Sequence, residues 1–162
     1  MTDPTPAKPD ENSPQVRFIR TYLKDASLEA PDSLTFFKTT WQPDINFNLQ
    51  SQARHVEDSL FEVVLNVTVT AKQDDRTAFL VEAHQAGLFA LEHFDDRQTH
   101  YMLGAYCPNT LYPFAVETIS DMVTRAGFPQ VLLTPINFDA IYANQIAESM
   151  REREAAEGQG TH

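Results

Sequence analysis

A change of hydrophobic period partway along the chain limits what it can fold into more than any other feature. Phe61, Val63, Leu65, Val67 and Val69 alternate with mostly polar neighbours, and Ile45, Phe47 and Leu49 alternate with Asn46, Asn48 and Gln50. A period of two marks strands buried on one face. The polar run Lys72 to Arg76 predicts a turn, and Ala78 to Phe89 then resumes as a strand paired with the preceding one. In that strand Phe79, Val81 and Ala83 oppose Leu80, Glu82 and His84. Both of its faces carry apolar residues, so it can serve a core on one side and a partner on the other. Upstream, Val16, Phe18, Tyr22, Ala26 and Leu28 keep one parity and predict a first strand over Val16 to Glu29, closed by Pro31. The connection through Phe36, Phe37, Trp41 and Pro43 is too aromatic for a solvated loop and is expected to pack against the body of the protein.

From Thr110 the period becomes helical, with Leu111, Phe114, Ala115, Ile119, Met122 and Val123 on one stripe. Pro113 is expected in the first turn, where its missing N–H costs little. Arg125, Gly127 and Pro129 mark the end. A second helix is predicted to start near Asn137 or Asp139, with Phe138, Ile141, Tyr142, Gln145 and Ile146 on one side. Four strands followed by two helices predict an α+β fold, a four-stranded antiparallel sheet with two helices on one face. Residues 1–14, with Pro4, Pro6, Pro9 and Pro14 among polar neighbours, read as a flexible N-terminal arm. Residues 15–150 form the folded domain, and residues 151–162 a flexible C-terminal tail. Tyr106, Tyr112 and Phe114 add more apolar surface than one small sheet covers, which makes self-association an expectation.

The chain has 162 residues and a formal net charge of −11. That charge argues against a nucleic-acid partner, whose phosphates need clustered Lys and Arg, and favours basic partners. Cys107 is the single cysteine, so no intramolecular disulfide forms. The first residues lack the apolar stretch of a signal peptide, and no run of about 18 apolar residues occurs. A soluble, cytosolic protein is expected. His55, His84, His93, His100 and His162 form no HExxH pattern and no pair with the cysteine, so neither metal nor cofactor is expected. Cys107 beside Pro108 is read as a packing residue rather than a nucleophile. GxSxG, GxGxxG and P-loop patterns are absent as well, and an enzyme is not expected.

The stretch Leu103 to Ala143, LGAYCPNTLYPFAVETISDMVTRAGFPQVLLTPINFDAIYA, together with Tyr22 to Pro31, YLKDASLEAP, resembles the protein-export chaperone family SecB over roughly Val16 to Glu148. The resemblance implies an ATP-independent holdase, a homotetramer built as a dimer of dimers, that keeps preproteins unfolded and delivers them to the SecA motor. It further implies that Asp25, Glu29, Leu80 and Glu82 contact the basic, zinc-bearing C-terminal tail of SecA, the zinc belonging to that partner. Spacing alone puts Asp25 and Glu29 on one face of a regular strand, where composition reads them as scattered solvated charges; only the resemblance gives them a docking role. Trp41, Phe47, Leu49, Tyr142 and Ile146 match positions lining a client groove in SecB-like proteins, whereas periodicity alone reads such residues as core. Val81, Ala83 and Gln85 match positions of intersubunit contact, and ordinary sheet packing within one subunit is the alternative. Ala86-Gly87 stands where many members have paired glycines, a departure expected to change a bulge at the strand end. Two rival readings are a thioesterase-like enzyme or small-ligand carrier with an acyl pocket, and a SecB-like chaperone dedicated to a toxin–antitoxin pair.

Overall fold

The computed structural model describes residues 10–158; the remainder of the expected N-terminal arm and the last four residues of the expected tail lie outside them. In chain order the elements are β1 (Gln15–Glu29), α1 (Ser33–Phe37), β2 (Asp44–Glu57), β3 (Leu60–Gln73), β4 (Arg76–Glu92), α2 (Asp96–Tyr101), a π-helical turn (Met102–Tyr106), α3 (Cys107–Arg125) and α4 (Phe138–Gly158). The strands form one antiparallel sheet in the order β1-β4-β3-β2. Asp74 and Asp75 both take positive φ, the conformation that lets a two-residue turn follow the twist of β3 and β4.

Alternation gives the sheet two unlike faces. On one, Val63, Leu65, Val67 and Val69 of β3 and Phe79, Val81 and Ala83 of β4 are fully buried. Leu111, Ala115, Ile119 and Val123, the stripe of α3, cover them. Each of the Val, Leu, Ile and Phe side chains among them contributes about 1.5–3 kcal/mol on burial, and each Ala less. The other face carries Leu80, Glu82 and His84 of β4 paired with Thr70, Thr68 and Asn66 of β3. This parity corrects one expectation. Val81 and Ala83 have no exposed surface, Gln85 is 5% exposed, and the Gln85 amide donates to Thr21 Oγ1 at 2.7 Å. Their side chains are consumed by the subunit's own core, so they are packing residues and not a surface for another copy.

Three local departures have physical reasons. β1 does not keep one parity, because bulges between Phe18 and Arg20 and between Leu23 and Asp25 each absorb an extra residue. Tyr22 therefore pairs with Ala86 and lies on the outer face, while Ala26 and Leu28 lie opposite Ala83 and Val81 on the core face. Secondly, the helix expected from Thr110 begins at Asp96, where Asp95 and Gln98 form a reciprocal capping box. Pro113 thus sits inside α3 rather than in its first turn. Pro108 would collide with the carbonyl of Gly104 in a regular α-helix, and the wider π turn just before it relieves that clash. Finally, α4 runs on to Gly158, past residue 150 where the domain was expected to end. The other end of α3 is as expected, with Gly127 at φ 89° after the last turn.

Candidate functional site

A cleft of about 390 Å³ opens between the edge strand β2 and α4. Its walls are Leu49, Ser51 and Ala53 from β2 and Phe138, Ile141 and Tyr142 from α4, with Leu103 and Gly104 of the π turn at the base. Several contacts hold α4 there. Asn137 Oδ1 accepts the Ala140 N–H at 3.0 Å and caps the helix. Buried Phe138 packs edge-on against Tyr112, with 5.7 Å between ring centroids. The Tyr142 ring lies against Gly104, where a Cβ would come within 2.6 Å of it, and its hydroxyl meets His100 Nδ1 at 2.6 Å. Tyr101 packs edge-on against Tyr142 and donates to Asp139 Oδ1 at 2.6 Å. That bond to a carboxylate, foremost, raises the Tyr101 pKa.

Of the five residues expected to line a groove, the fold brings Leu49 and Tyr142 together in this cleft. Ile146 borders its continuation along α4, beside His100, Tyr142 and Gln145. Trp41 and Phe47 are elsewhere. Trp41 stacks on Phe79 with centroids 6.3 Å apart and meets Phe128 at 5.1 Å. Gln73 fixes that approach, accepting from Gln42 N–H at 2.8 Å and donating to the Thr40 carbonyl at 3.0 Å. Phe47, opposite Val69, is half-buried against the core. Both spend aromatic surface on the subunit's own packing. His100, Leu103 and Gly104 escaped the sequence reading because they precede the expected helix; a glycine within a helical run was the one available signal.

The outer sheet face gathers the acidic residues. Across β1 and β4, Glu29 pairs with Leu80, Ser27 with Glu82 and Asp25 with His84, so Asp25, Glu29, Leu80 and Glu82 share one face in three adjacent rows. Glu82 accepts from Thr68 Oγ1 at 3.3 Å and contacts the His84 ring nitrogen. Farther along the same face is a charge cluster that sequence alone did not indicate. Glu62, 8% exposed, takes hydrogen bonds from the Tyr22 hydroxyl, from Lys24 at 3.2 Å and from Arg54 at 3.1 Å. The Tyr22 bond, foremost, holds the Glu62 pKa below the usual carboxylate value, with Lys24 and Arg54 adding to it. Tyr22 is pushed up to about 12, first by desolvation and then by the adjacent carboxylate.

Cys107 is fully buried, and burial pushes its thiol pKa up to about 12, so it is a poor nucleophile near neutral pH. Among the described residues no group of three or more His, Cys, Asp and Glu side chains is arranged to hold a metal ion, and no helix is long and apolar enough to cross a membrane.

The family model described as "Preprotein translocase subunit SecB" matches residues 9–149. The chain is 47% identical over 141 residues to the "Protein-export protein SecB" of Hydrogenovibrio crunogenus, covering 85% of this chain and 95% of the relative. It is 47% identical over 152 residues to that of Thioalkalivibrio sulfidiphilus, covering 92% and 90%. Among solved structures, the fold matches a SecB-like chaperone from Mycobacterium tuberculosis in complex with a ChAD peptide from the HigA1 antitoxin. There the TM-score is 0.55 at 16% identity, over 75% of this chain and 90% of the other.

Proposed function

Because this chain belongs to the SecB family of preprotein translocase subunits, we propose that it is an ATP-independent holdase that binds unfolded preproteins in the cytosol and delivers them to SecA. The observation that carries the holdase step is the open apolar cleft between β2 and α4. Apolar burial is non-directional and scales with area, so such a cleft accepts extended chains without a fixed sequence. Binding only the unfolded form keeps a client unfolded by mass action, with no nucleotide needed. Leu49 and Tyr142 form the cleft's contact surface and Ile146 extends it. Asp25, Glu29, Leu80 and Glu82 form the docking face for the basic tail of SecA, where a cationic ligand relieves the repulsion among the carboxylates.

The homotetramer uses surface other than Val81, Ala83 and Gln85. Phe18, Ile19 and Leu23 of β1 are 39–47% exposed, and Tyr106 and Phe114 of the neighbouring helix are also exposed. The Phe18 and Phe114 rings lie 6.1 Å apart, so β1 and α3 contribute to one exposed apolar patch suited to self-association.

The test separates the two binding steps. Tyr142→Asp with Leu49→Asp should weaken suppression of preprotein aggregation severalfold while SecA binding persists. Asp25→Lys with Glu29→Lys should abolish SecA binding while suppression persists. Unchanged suppression in the first pair would remove the cleft from client binding, and unchanged SecA affinity in the second would remove the acidic rows from docking.

A further inference from the structure

Among the acids in the three docking rows, Glu82 alone is already engaged by a titratable partner. Its Oε2 accepts from Thr68 Oγ1 at 3.3 Å, and its Oε1 meets His84 Nε2. Asp25 and Glu29 form no ion pair among the described residues. His84 follows Glu82 by two positions on β4, so both side chains stand on the same face. Both are within reach of solvent and of a ligand, at 30% and 38% side-chain accessibility.

The surroundings of the imidazole favour its charged form. In its own row His84 lies between Asp25 of β1 and Asn66 of β3, and the rows on either side are Ser27–Glu82–Thr68 and Tyr22–Ala86–Val64. Beyond Asn66, β2 supplies the neutral Gln50, and α3 packs on the opposite face of the sheet. Lys24, in the bulge beside Asp25, is the cation on this stretch of β1, and its ammonium is held by Glu62 at 3.2 Å. The Tyr22 hydroxyl is bound to the same carboxylate. Two acids, Glu82 and Asp25, therefore face the ring, while the neighbouring cation is occupied elsewhere. Asn66 Oδ1 is buried and has no hydrogen-bond partner among the described residues, so the row also offers an acceptor for a second ring N–H.

Imidazole is the side chain whose ordinary change of charge falls between about pH 5 and 8. With His84 neutral, an Nε2–H donated to Glu82 leaves the carboxylate's charge in place. With His84 protonated, the two form an ion pair, and one of the three negative charges on the face is cancelled. We infer that His84 sets the pH dependence of the acidic docking face: neutral, it leaves Glu82 open to a basic segment of the partner, and protonated, it competes with that segment. This role rests on the docking proposed above for Asp25, Glu29 and Glu82. Docking is then strongest above neutrality and weakens as pH falls through the imidazole range, in which carboxylates, Lys and Arg ordinarily keep their charge. An exposed ion pair changes a binding constant by up to about fivefold, which sets the size of the effect.

The test measures affinity for SecA and for an oligolysine peptide at about pH 5.5 and about pH 8, at one ionic strength. Wild type should bind oligolysine about threefold to fivefold more weakly at the lower pH. His84→Gln, which keeps an N–H donor but does not titrate, should lose most of that slope and hold the affinity seen at the higher pH. His84→Lys should bind weakly at both. Because linkage is reciprocal, saturating oligolysine should also move the NMR titration midpoint of the His84 ring to lower pH. If Asp25→Lys with Glu29→Lys abolishes SecA binding while His84→Gln keeps the wild-type slope and the ring's midpoint stays put, His84 does not govern docking. If that charge reversal leaves affinity for both ligands unchanged, the acidic docking site itself is wrong and the role of His84 falls with it.

Discussion

Glu62 is a buried carboxylate held by three donors on three different side chains, and its protonation state links β1, β2 and β3. Its pKa is depressed below 4.5, so the stability it contributes is present above that value and is lost as pH falls through the lower, folded-state pKa. Tyr22 works in the other direction. Its pKa is raised from 10.0 to about 12, so its contribution is complete below pH 10 and is lost as pH climbs toward 12. Urea unfolding across pH should therefore show both an acid and an alkaline limb. Glu62→Gln should flatten the acid limb, and Tyr22→Phe should cost about 1–3 kcal/mol at neutral pH and flatten the alkaline one. Identical limbs in wild type and variants would show that other groups set the pH response. Little of this was legible in the sequence, since Tyr22 shares parity with Val16 and Phe18 and the bulge after Phe18 that turns it outward leaves no compositional trace. The common face of Asp25 and Glu29 was legible because no bulge separates them.

The starts of the strands followed from period-two alternation to within two residues, but the alternation of Ile45 to Gln50 and of Phe61 to Val69 stops short of the ends of β2 at Glu57 and β3 at Gln73, and the helical layer was foreshortened as well. The stripe from Leu111 to Val123 announced α3, but α2 has no buried residue and the π turn has two, too few to make a pattern. Yet that turn seats α4. Gly104 accepts the Tyr142 ring at a distance no β-carbon allows, which makes this glycine the hinge point between the helical layer and the cleft wall. Gly104→Ala should displace Tyr142 and loosen α4 against the π turn, costing about 1–3 kcal/mol by overpacking. Hydrogen exchange over residues 138–158 should accelerate while β3 and β4 stay protected. Uniform protection of α4 in the variant would mean that the ring finds another seat. The cleft was half legible for a related reason: periodicity placed Leu49 and Tyr142 on apolar faces, but could not say that Trp41 is drawn into contact with Phe79 and Phe128.

Taken as one body, the molecule is a sheet with a dry face under α3, a charged face opposite, and an apolar strip along the β1 edge. Self-association through that edge predicts that Phe18→Glu with Ile19→Glu lowers the mass seen by light scattering, whereas substitutions at Glu82 do not. A variant that keeps the wild-type mass would place the subunit contact elsewhere. The separation of faces depends on β1 staying in phase with β4 along its whole length, and there the two bulges have a genetic consequence. Ile19 and Lys24 are the residues without a partner in the ladder, so each resembles a spare letter in a reading frame. Loss of either leaves every other β1 side chain on its present face, although loss of Lys24 also removes a hydrogen bond to Glu62. Loss of a paired residue such as Ser27 inverts the faces on one side of the gap until the strand recruits a bulge to restore phase. Single-residue length changes among relatives of this chain should therefore collect at those two positions, and a deletion elsewhere in β1 should be rescued by a second change that restores the frame.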